Sequence, residues 1–285
     1  MSTLRYSIVD VFTDRPFTGN PLAIVFDAEA LAAEQMQAIA REFNLSETIF
    51  VLPPTTPQAT YRARIFTPGT ELPFAGHPTV GCAVTLVRDG VVKGPDVVQE
   101  CGAGLIAVQV DDVHGAATVT GGEPTAGPEL DPGPLLESIG LTRADYVGPA
   151  PRRAGCGLEF TFLSVTEEAV ARLRLLRPVD NLSVFHWDAE RRLAHVRVLV
   201  PDVGVAEDPA TGSAALGFGV WLVSSGLAAG DGLTRYEIAQ GLEMHRPSAL
   251  HCSVTASGGV AVSATVAGHA VPIASGEMIV PPFVG

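Results

Sequence analysis

Two short pairs of segments decide how this chain is built. Arg64-Ile65-Phe66-Thr67-Pro68 is answered by Arg197-Val198-Leu199-Val200-Pro201, and Gly76-His77-Pro78-Thr79-Val80-Gly81 is answered by Gly212-Ser213-Ala214-Ala215-Leu216-Gly217. In each copy a strand ends at proline, a loop carries carboxylates (Glu71 in the first, Glu207 and Asp208 in the second), and Gly-x-x-x-x-Gly leads into an apolar helix. Two matches in the same order, each joining a strand to a helix, predict a duplicated α/β (α+β) domain. The length of 285 residues suits two domains of ordinary size.

Working outward, the first half reads as strand (Tyr6 to Phe12), turn (Asp14 to Pro21) and strand (Leu22 to Phe26). An amphipathic helix follows from Ala28 to Asn44, with Leu31, Met36, Ile39, Ala40 and Phe43 at helical spacing. Strands are expected at Ser46 to Leu52, Tyr61 to Phe66 and Leu105 to Val110, and a second helix at Pro78 to Val87. Proline and glycine between Gly121 and Pro134 mark a boundary. Beyond it we expect a short helix at Leu135 to Ile139, a strand at Leu158 to Val165 and a helix from Thr166 to Leu176 opened in capping order; a strand at His195 to Val200 follows.

Composition narrows the function. Acidic residues outnumber basic ones 31 to 18, and a net charge of −13 repels a phosphate backbone and an anionic lipid surface alike. No nucleic-acid or membrane partner is expected. Lys93 is the only lysine and lies in a turn, so Schiff-base chemistry has one poor candidate. Cys82, Cys101, Cys156 and Cys252 are scattered, and the start of the chain lacks the pattern of a secretion signal, so a cytoplasmic protein is expected. The uncharged run from Pro209 to Gly230 holds five glycines and reads as a buried helix entered through a turn.

Nucleotide and metal motifs are missing. No Gly-x-Gly-x-x-Gly or Gly-x-x-x-x-Gly-Lys occurs, no histidine pair has ligand spacing, and no Gly-x-Ser-x-Gly elbow is present. What remains is cofactor-free acid/base work by carboxylates and a histidine. Amide groups at the starts of the two motif helices lack intrahelical acceptors and attract anions, which suits a small carboxylate substrate. Each candidate also has a plainer reading: Glu47 as a strand residue facing solvent, His77 as a neighbour of a helix cap, and Asp208 or Ser213 as the cap of the following helix.

Four further stretches carry a resemblance. Asp10-Val11-Phe12-Thr13 with Phe17-Thr18-Gly19-Asn20-Pro21, Asn44-Leu45-Ser46-Glu47-Thr48, Glu71 to Thr79 and Glu207 to Ala214 resemble, in order along the chain, the phenazine biosynthesis PhzF-like proteins. The resemblance implies the diaminopimelate epimerase fold: two similar domains (1–123 plus 275–285, and 124–274), each a curved mixed sheet around a central helix. It places the active site in the cleft between them. It also implies a homodimer and a last strand, Glu277 to Val284, that returns to the first domain.

For the chemistry it implies an isomerase without cofactor or metal. Glu47 would carry the proton, His77 and Asp208 would hydrogen-bond the substrate, and Asn20, Ser46, Gly76, Thr211, Gly212 and Ser213 would line the substrate site. Glu47, desolvated, would have a raised pKa suited to reprotonation near neutrality. The epimerases of that fold carry a cysteine at each helix start; the matching positions here are Ala75 and Pro209, which removes a two-thiol mechanism. His245-Arg246-Pro247-Ser248 departs from the family's usual Gly-Arg-Pro-Ser and leaves the substrate open. Two other readings stand beside the isomerase. One is an amino-acid or hydroxy-acid epimerase using Glu47 with Asp208; the other is a non-catalytic ligand sensor or interaction protein.

Overall fold

The duplication is explicit in the strand pairing. A computed structural model describes residues 2–201 and 205–282, without the Val205 side chain, and divides into two units, 1–119 with 267–285 and 120–266. The first unit runs β1 (Thr3–Val11), β2 (Asn20–Val25), α1 (Ala33–Phe43), β3 (Glu47–Leu52), β4 (Tyr61–Phe66), β5 (Glu71–Leu72), α2 (Gly76–Arg88), β6 (Asp96–Cys101), β7 (Gly104–Asp111) and β8 (Ala116–Thr120). The second runs β9 (Pro124–Glu129), α3 (Pro132–Ser138), β10 (Arg152–Cys156), β11 (Leu158–Ser164), α4 (Glu167–Arg172), β12 (Leu182–Asp188), β13 (Leu193–Val200) and β14 (Val205–Asp208); α5 (Gly212–Ser224), β15 (Gly232–Gln240) and β16 (Ser248–Ser257) follow. β17 (Val260–Ile279) begins in the second unit and ends in the first.

Each unit repeats one pattern of mixed pairing. In the first, β1 is antiparallel to β2, β2 parallel to β3, β3 antiparallel to β4, and β4 parallel to β6. The second repeats this order: β10 antiparallel to β11, β11 parallel to β12, β12 antiparallel to β13, and β13 parallel to β15. The parallel steps are the ones crossed by helices: α1 and α4 bridge β2–β3 and β11–β12, and α2 and α5 bridge β4–β6 and β13–β15.

The motif helices are the cores of their units. Every residue of α2 from Gly76 to Leu86 is buried, and in α5 so are Gly212 and Ala214 to Val223. A helix apolar on all sides belongs inside a sheet, not across its surface. The second glycine of each motif permits close approach to the strands. A Cβ on Gly81 would meet Val11 Cγ2 at 2.6 Å and Leu22 Cδ2 at 2.8 Å, and one on Gly217 would meet the Ala154 carbonyl at 2.9 Å. Around α5 the rings of Phe162, Phe185, Phe218 and Trp221 stack or meet edge to face. α5 is thirteen residues long, and no helix among the described residues is long and apolar enough to cross a membrane.

Several expected elements differ. The helix expected at Ala28 to Asn44 is a 3-10 turn, Ala28–Ala30, followed by α1, which stops where Asn44 turns left-handed at φ 51°. The helix expected from Thr166 to Leu176 has the expected cap, Thr166 Oγ1 accepting Ala169 N–H at 3.3 Å, but ends at Arg172. It ends there because the Val170 and Leu173 carbonyls accept Arg197 Nη1–H, and the amides of Arg174 and Leu176 turn to the carbonyls of Ile139 and Ser138. The short helix expected at Leu135 starts earlier, at Pro132, capped by Asp131 accepting Gly133 N–H. The Pro/Gly-rich stretch after Gly121 contains a strand, β9, paired with β10. The returning strand is longer than Glu277 to Val284: β17 has twenty residues, and its Ala270–Ile279 portion pairs with β1. Val284 lies outside the described residues.

Candidate active site

Glu47, Asn20 and His77 are brought together by the strand register of the first unit. Asn20 opens β2 opposite Val11, and Glu47 opens β3 opposite Leu22, so both sit at the ends of strands packed on α2. The loop before Asn20 is tied down by buried Asp10, whose Oδ2 accepts Phe17 N–H at 2.6 Å, and by Gly19 at φ +68°, where a side chain would strike the Val11 carbonyl. His77 is the second residue of α2, behind the extended cap residue Ala75.

The resulting cluster is nearly dry. Asn20 is 0% exposed and His77 3%, and the Asn20 amide nitrogen donates to His77 Nδ1 at 3.2 Å. Glu47 Oε2 lies 3.5 Å from the same nitrogen, with 14% of its side chain exposed. That distance would admit an ion pair, but burial pushes the His77 imidazole down to about 3, so the ring is neutral. With Nδ1 accepting, the proton sits on Nε2, which is buried and has no hydrogen-bond partner among the described residues. The cluster is therefore a carboxyl group beside a neutral donor-acceptor ring. Gly76 is buried one residue ahead of His77, and Ser46 is half-buried one residue ahead of Glu47.

The second unit assembles the remaining residues at the junction of β14 and α5. Asp208 ends β14 and is 8% exposed. It is not the cap of α5: that position is Thr211, whose hydroxyl donates to Asp208 Oδ2 at 2.6 Å. Gly212 and Ser213 follow as the first helical residues, Gly212 buried and Ser213 half-buried. Their amides precede the first intrahelical bond, Ala215 N–H to the Thr211 carbonyl.

Two features escape the sequence reading. In each unit an arginine grips the glutamate of the returning strand with two of its three nitrogens: Arg64 Nε and Nη2 reach Glu71 at 2.7 Å each, and Arg197 Nε and Nη2 reach Glu207 at 2.8 and 2.7 Å. Each unit also buries one glutamine against its motif helix, Gln99 donating to Thr79 Oγ1 and Gln240 to Thr211 Oγ1. Both arginines open the repeated segments, so alignment of the copies carries a signal for the forks. The glutamines stand alone in strands of ordinary composition and carry none. Among the described residues no group of three or more His, Cys, Asp or Glu side chains is arranged to hold a metal ion.

Comparison with known proteins agrees with this architecture. The phenazine biosynthesis-like PhzC-PhzF family matches residues 9–276. An uncharacterised isomerase of Mesorhizobium japonicum is 38% identical over 98% of this chain and 100% of its own. The trans-2,3-dihydro-3-hydroxyanthranilate isomerase of Pseudomonas aeruginosa is 33% identical over 96% of this chain and 98% of its own. A crystal structure of a Bacillus anthracis phenazine biosynthesis protein of the PhzF family superimposes with a TM-score of 0.86 at 27% identity, covering 98% of this chain and 100% of that one. Two copies of one helix-centred sheet, with the motif residues at corresponding ends and relatives matched from end to end, make this chain an isomerase of the PhzC-PhzF family.

Proposed function

We propose that the protein moves a proton between two carbons of a small carboxylic acid without a cofactor, as a cyclic dihydro-hydroxyanthranilate-type isomerase. The observation that carries this reading is the buried Glu47–His77–Asn20 cluster. Glu47 breaks a substrate C–H bond by taking its proton, the double bond shifts, and the same carboxyl returns the proton to a second carbon; nothing is oxidised or reduced. Asn20, donating to Nδ1, holds His77 in the tautomer whose Nε2–H is a donor for a substrate oxygen beside the Glu47 carboxyl. Asp208 hydrogen-bonds the substrate's amino or hydroxyl group. The amides of Gly76, Gly212 and Ser213, with Asn20 and Ser46, hold its carboxylate and ring, and Thr211, whose amide and hydroxyl hydrogens go to Gln240 and Asp208, lines the site beside them. The P. aeruginosa relative is named for such a reaction, which supports the substrate class.

The same reading has the enzyme working in the cytoplasm as a homodimer; its four cysteines are all unpaired, as a reducing compartment requires. Sedimentation velocity tests the dimer. For the reaction, the test is incubation with trans-2,3-dihydro-3-hydroxyanthranilate in deuterated water. Turnover with deuterium in the product is expected, and neither should survive Glu47→Gln. No turnover and no exchange removes this substrate, whereas an active Glu47→Gln removes the mechanism. Loss of α-deuterium from labelled amino or hydroxy acids would instead reveal an epimerase.

A further inference from the structure

Gln240 ends β15 with 1% of its surface exposed. Its side-chain oxygen accepts the Thr211 N–H at 3.2 Å, and its nitrogen donates to the Asp208 carbonyl at 2.7 Å and to Thr211 Oγ1 at 3.0 Å. The two backbone partners fix which way the amide points, since an N–H can only donate and a C=O can only accept. Thr211 Oγ1 therefore receives a hydrogen from Gln240, and its own hydrogen goes to Asp208 Oδ2, 2.6 Å away. The chain of donation has one direction, from Gln240 through Thr211 to the Asp208 carboxylate.

We infer that Gln240 is a positioning residue for the reaction: by orienting the Thr211 hydroxyl it holds Asp208 as an ionised acceptor, ready for a substrate N–H or O–H. The inference rests on the reading of Asp208 as a substrate contact given above. Two observations show that the arrangement is built. Gly241, at φ +77°, has no room for a side chain, because a Cβ there would meet the Pro209 carbonyl at 2.7 Å, so the end of β15 is locked against the residue after Asp208. In the first unit Gln99, 0% exposed, accepts from Tyr61 Oη and donates to Thr79 Oγ1 at 2.9 Å; Thr79 then donates to the Ala75 carbonyl. A buried glutamine thus meets a threonine hydroxyl at each motif helix, inside α2 at Thr79 and at the cap of α5 at Thr211, and only the second leads to an ionisable group. Charged residues on the strands and turn around Asp208 are Arg197 and Glu207, bonded to each other, His195 and Glu243 in contact at 3.0 Å, His245 and Arg246 in the turn after Gly241, and the exposed Arg235 and Glu237 farther along β15, Glu237 lying 3.5 Å from His251. The contacts from Gln240 to Thr211 and from Thr211 to Asp208 are direct.

The test compares Gln240→Met, Thr211→Val, Thr211→Ser and the Gln240→Met/Thr211→Val double variant. Two readouts are used: turnover of dihydro-hydroxyanthranilate, and the acid titration of the Asp208 carboxyl by carbon-13 NMR in the substrate-free protein. Gln240→Met and Thr211→Val should each lower kcat about tenfold with a smaller change in KM, and should raise the Asp208 midpoint by about one pH unit. Thr211→Ser should restore both, and the double variant should be no worse than Thr211→Val. Gln99→Met, at the buried glutamine of the first unit, should leave the Asp208 titration in place. An unmoved Asp208 midpoint in Gln240→Met, or multiplying losses in the double variant, overturns the inference. If wild type does not turn over this substrate, the proposed reaction fails while the titration still decides the role of Gln240. If Gln240→Met does not fold, the Thr211→Val and Thr211→Ser pair carries the same comparison.

Discussion

The neutrality of His77 has a measurable consequence for stability. In the unfolded chain its imidazole titrates near 6.5, while in the fold burial pushes it down to about 3. A base whose folded pKa is depressed binds more protons unfolded than folded, so stability is lost as pH falls below 6.5 and the loss levels off near 3. Each pH unit in that window is worth about 1.4 kcal/mol, so acidifying from neutrality to about pH 4.5 should remove about 2.7 kcal/mol through this residue alone. The alternative, a charged His77 paired with Glu47 at 3.5 Å, predicts the opposite sign, with stability gained on acidification. Carboxylates also titrate there, so the informative quantity is the difference between wild type and His77→Asn at the two pH values. Both tryptophans, Trp187 and Trp221, lie in the second unit, so their fluorescence reports on that unit directly. Hydrogen exchange of the β1 to β3 amides reports on the right unit. Wild type should lose about 2–3 kcal/mol more than His77→Asn between those two pH values. Equal losses, or a smaller one in wild type, would refute the neutral histidine.

Other expectations are simpler to check. Arg197→Leu strands a half-buried Glu207 and should cost about 3 kcal/mol in denaturant unfolding, whereas Arg64→Leu, at the more exposed fork, should cost about 1 kcal/mol or less; equal costs would contradict the burial difference. Gly81→Ala should destabilise the first unit by about 1–3 kcal/mol despite alanine's better helix propensity, and thermal melts at or above wild type would show that Val11 and Leu22 yield freely. Burial pushes the Cys82 thiol up to about 12 and Cys156 to about 11, and raises Cys252 as well. A thiol reagent should therefore modify only half-buried Cys101 in the native protein, and rapid labelling of a second cysteine would argue against these positions.

How much of this was legible beforehand follows from where each signal resides. The repeat showed because its strand, proline and glycine-opened helix are local features, and α2 and α5 begin where the Gly-x-x-x-x-Gly segments place them. Glu47, His77 and Asp208 were visible only as members of long motifs; taken singly, each had an equally good structural reading. Of the β15 to β17 region only the returning end of β17 is anticipated, through the resemblance, since stretches such as Ser248–Ser257 alternate small and hydroxyl-bearing residues whose inward face is weakly apolar. Gln240 was invisible for a different reason. Its partners are 29 and 32 residues away, and nothing in its neighbourhood distinguishes a bracing amide from a solvated one.

The path of β17 sets an order of events during synthesis. All residues of the second unit, 120–266, are made before the segment that completes the first, although the first unit begins the chain. Among the described residues β1 pairs with β2 on one side and with β17 on the other, so until Ala270–Ile279 emerges its second edge, Thr3 to Val11, stays open. The amino-terminal half is thus the last to close, and a nascent chain stalled before residue 270 would expose a strand edge that the finished protein never shows.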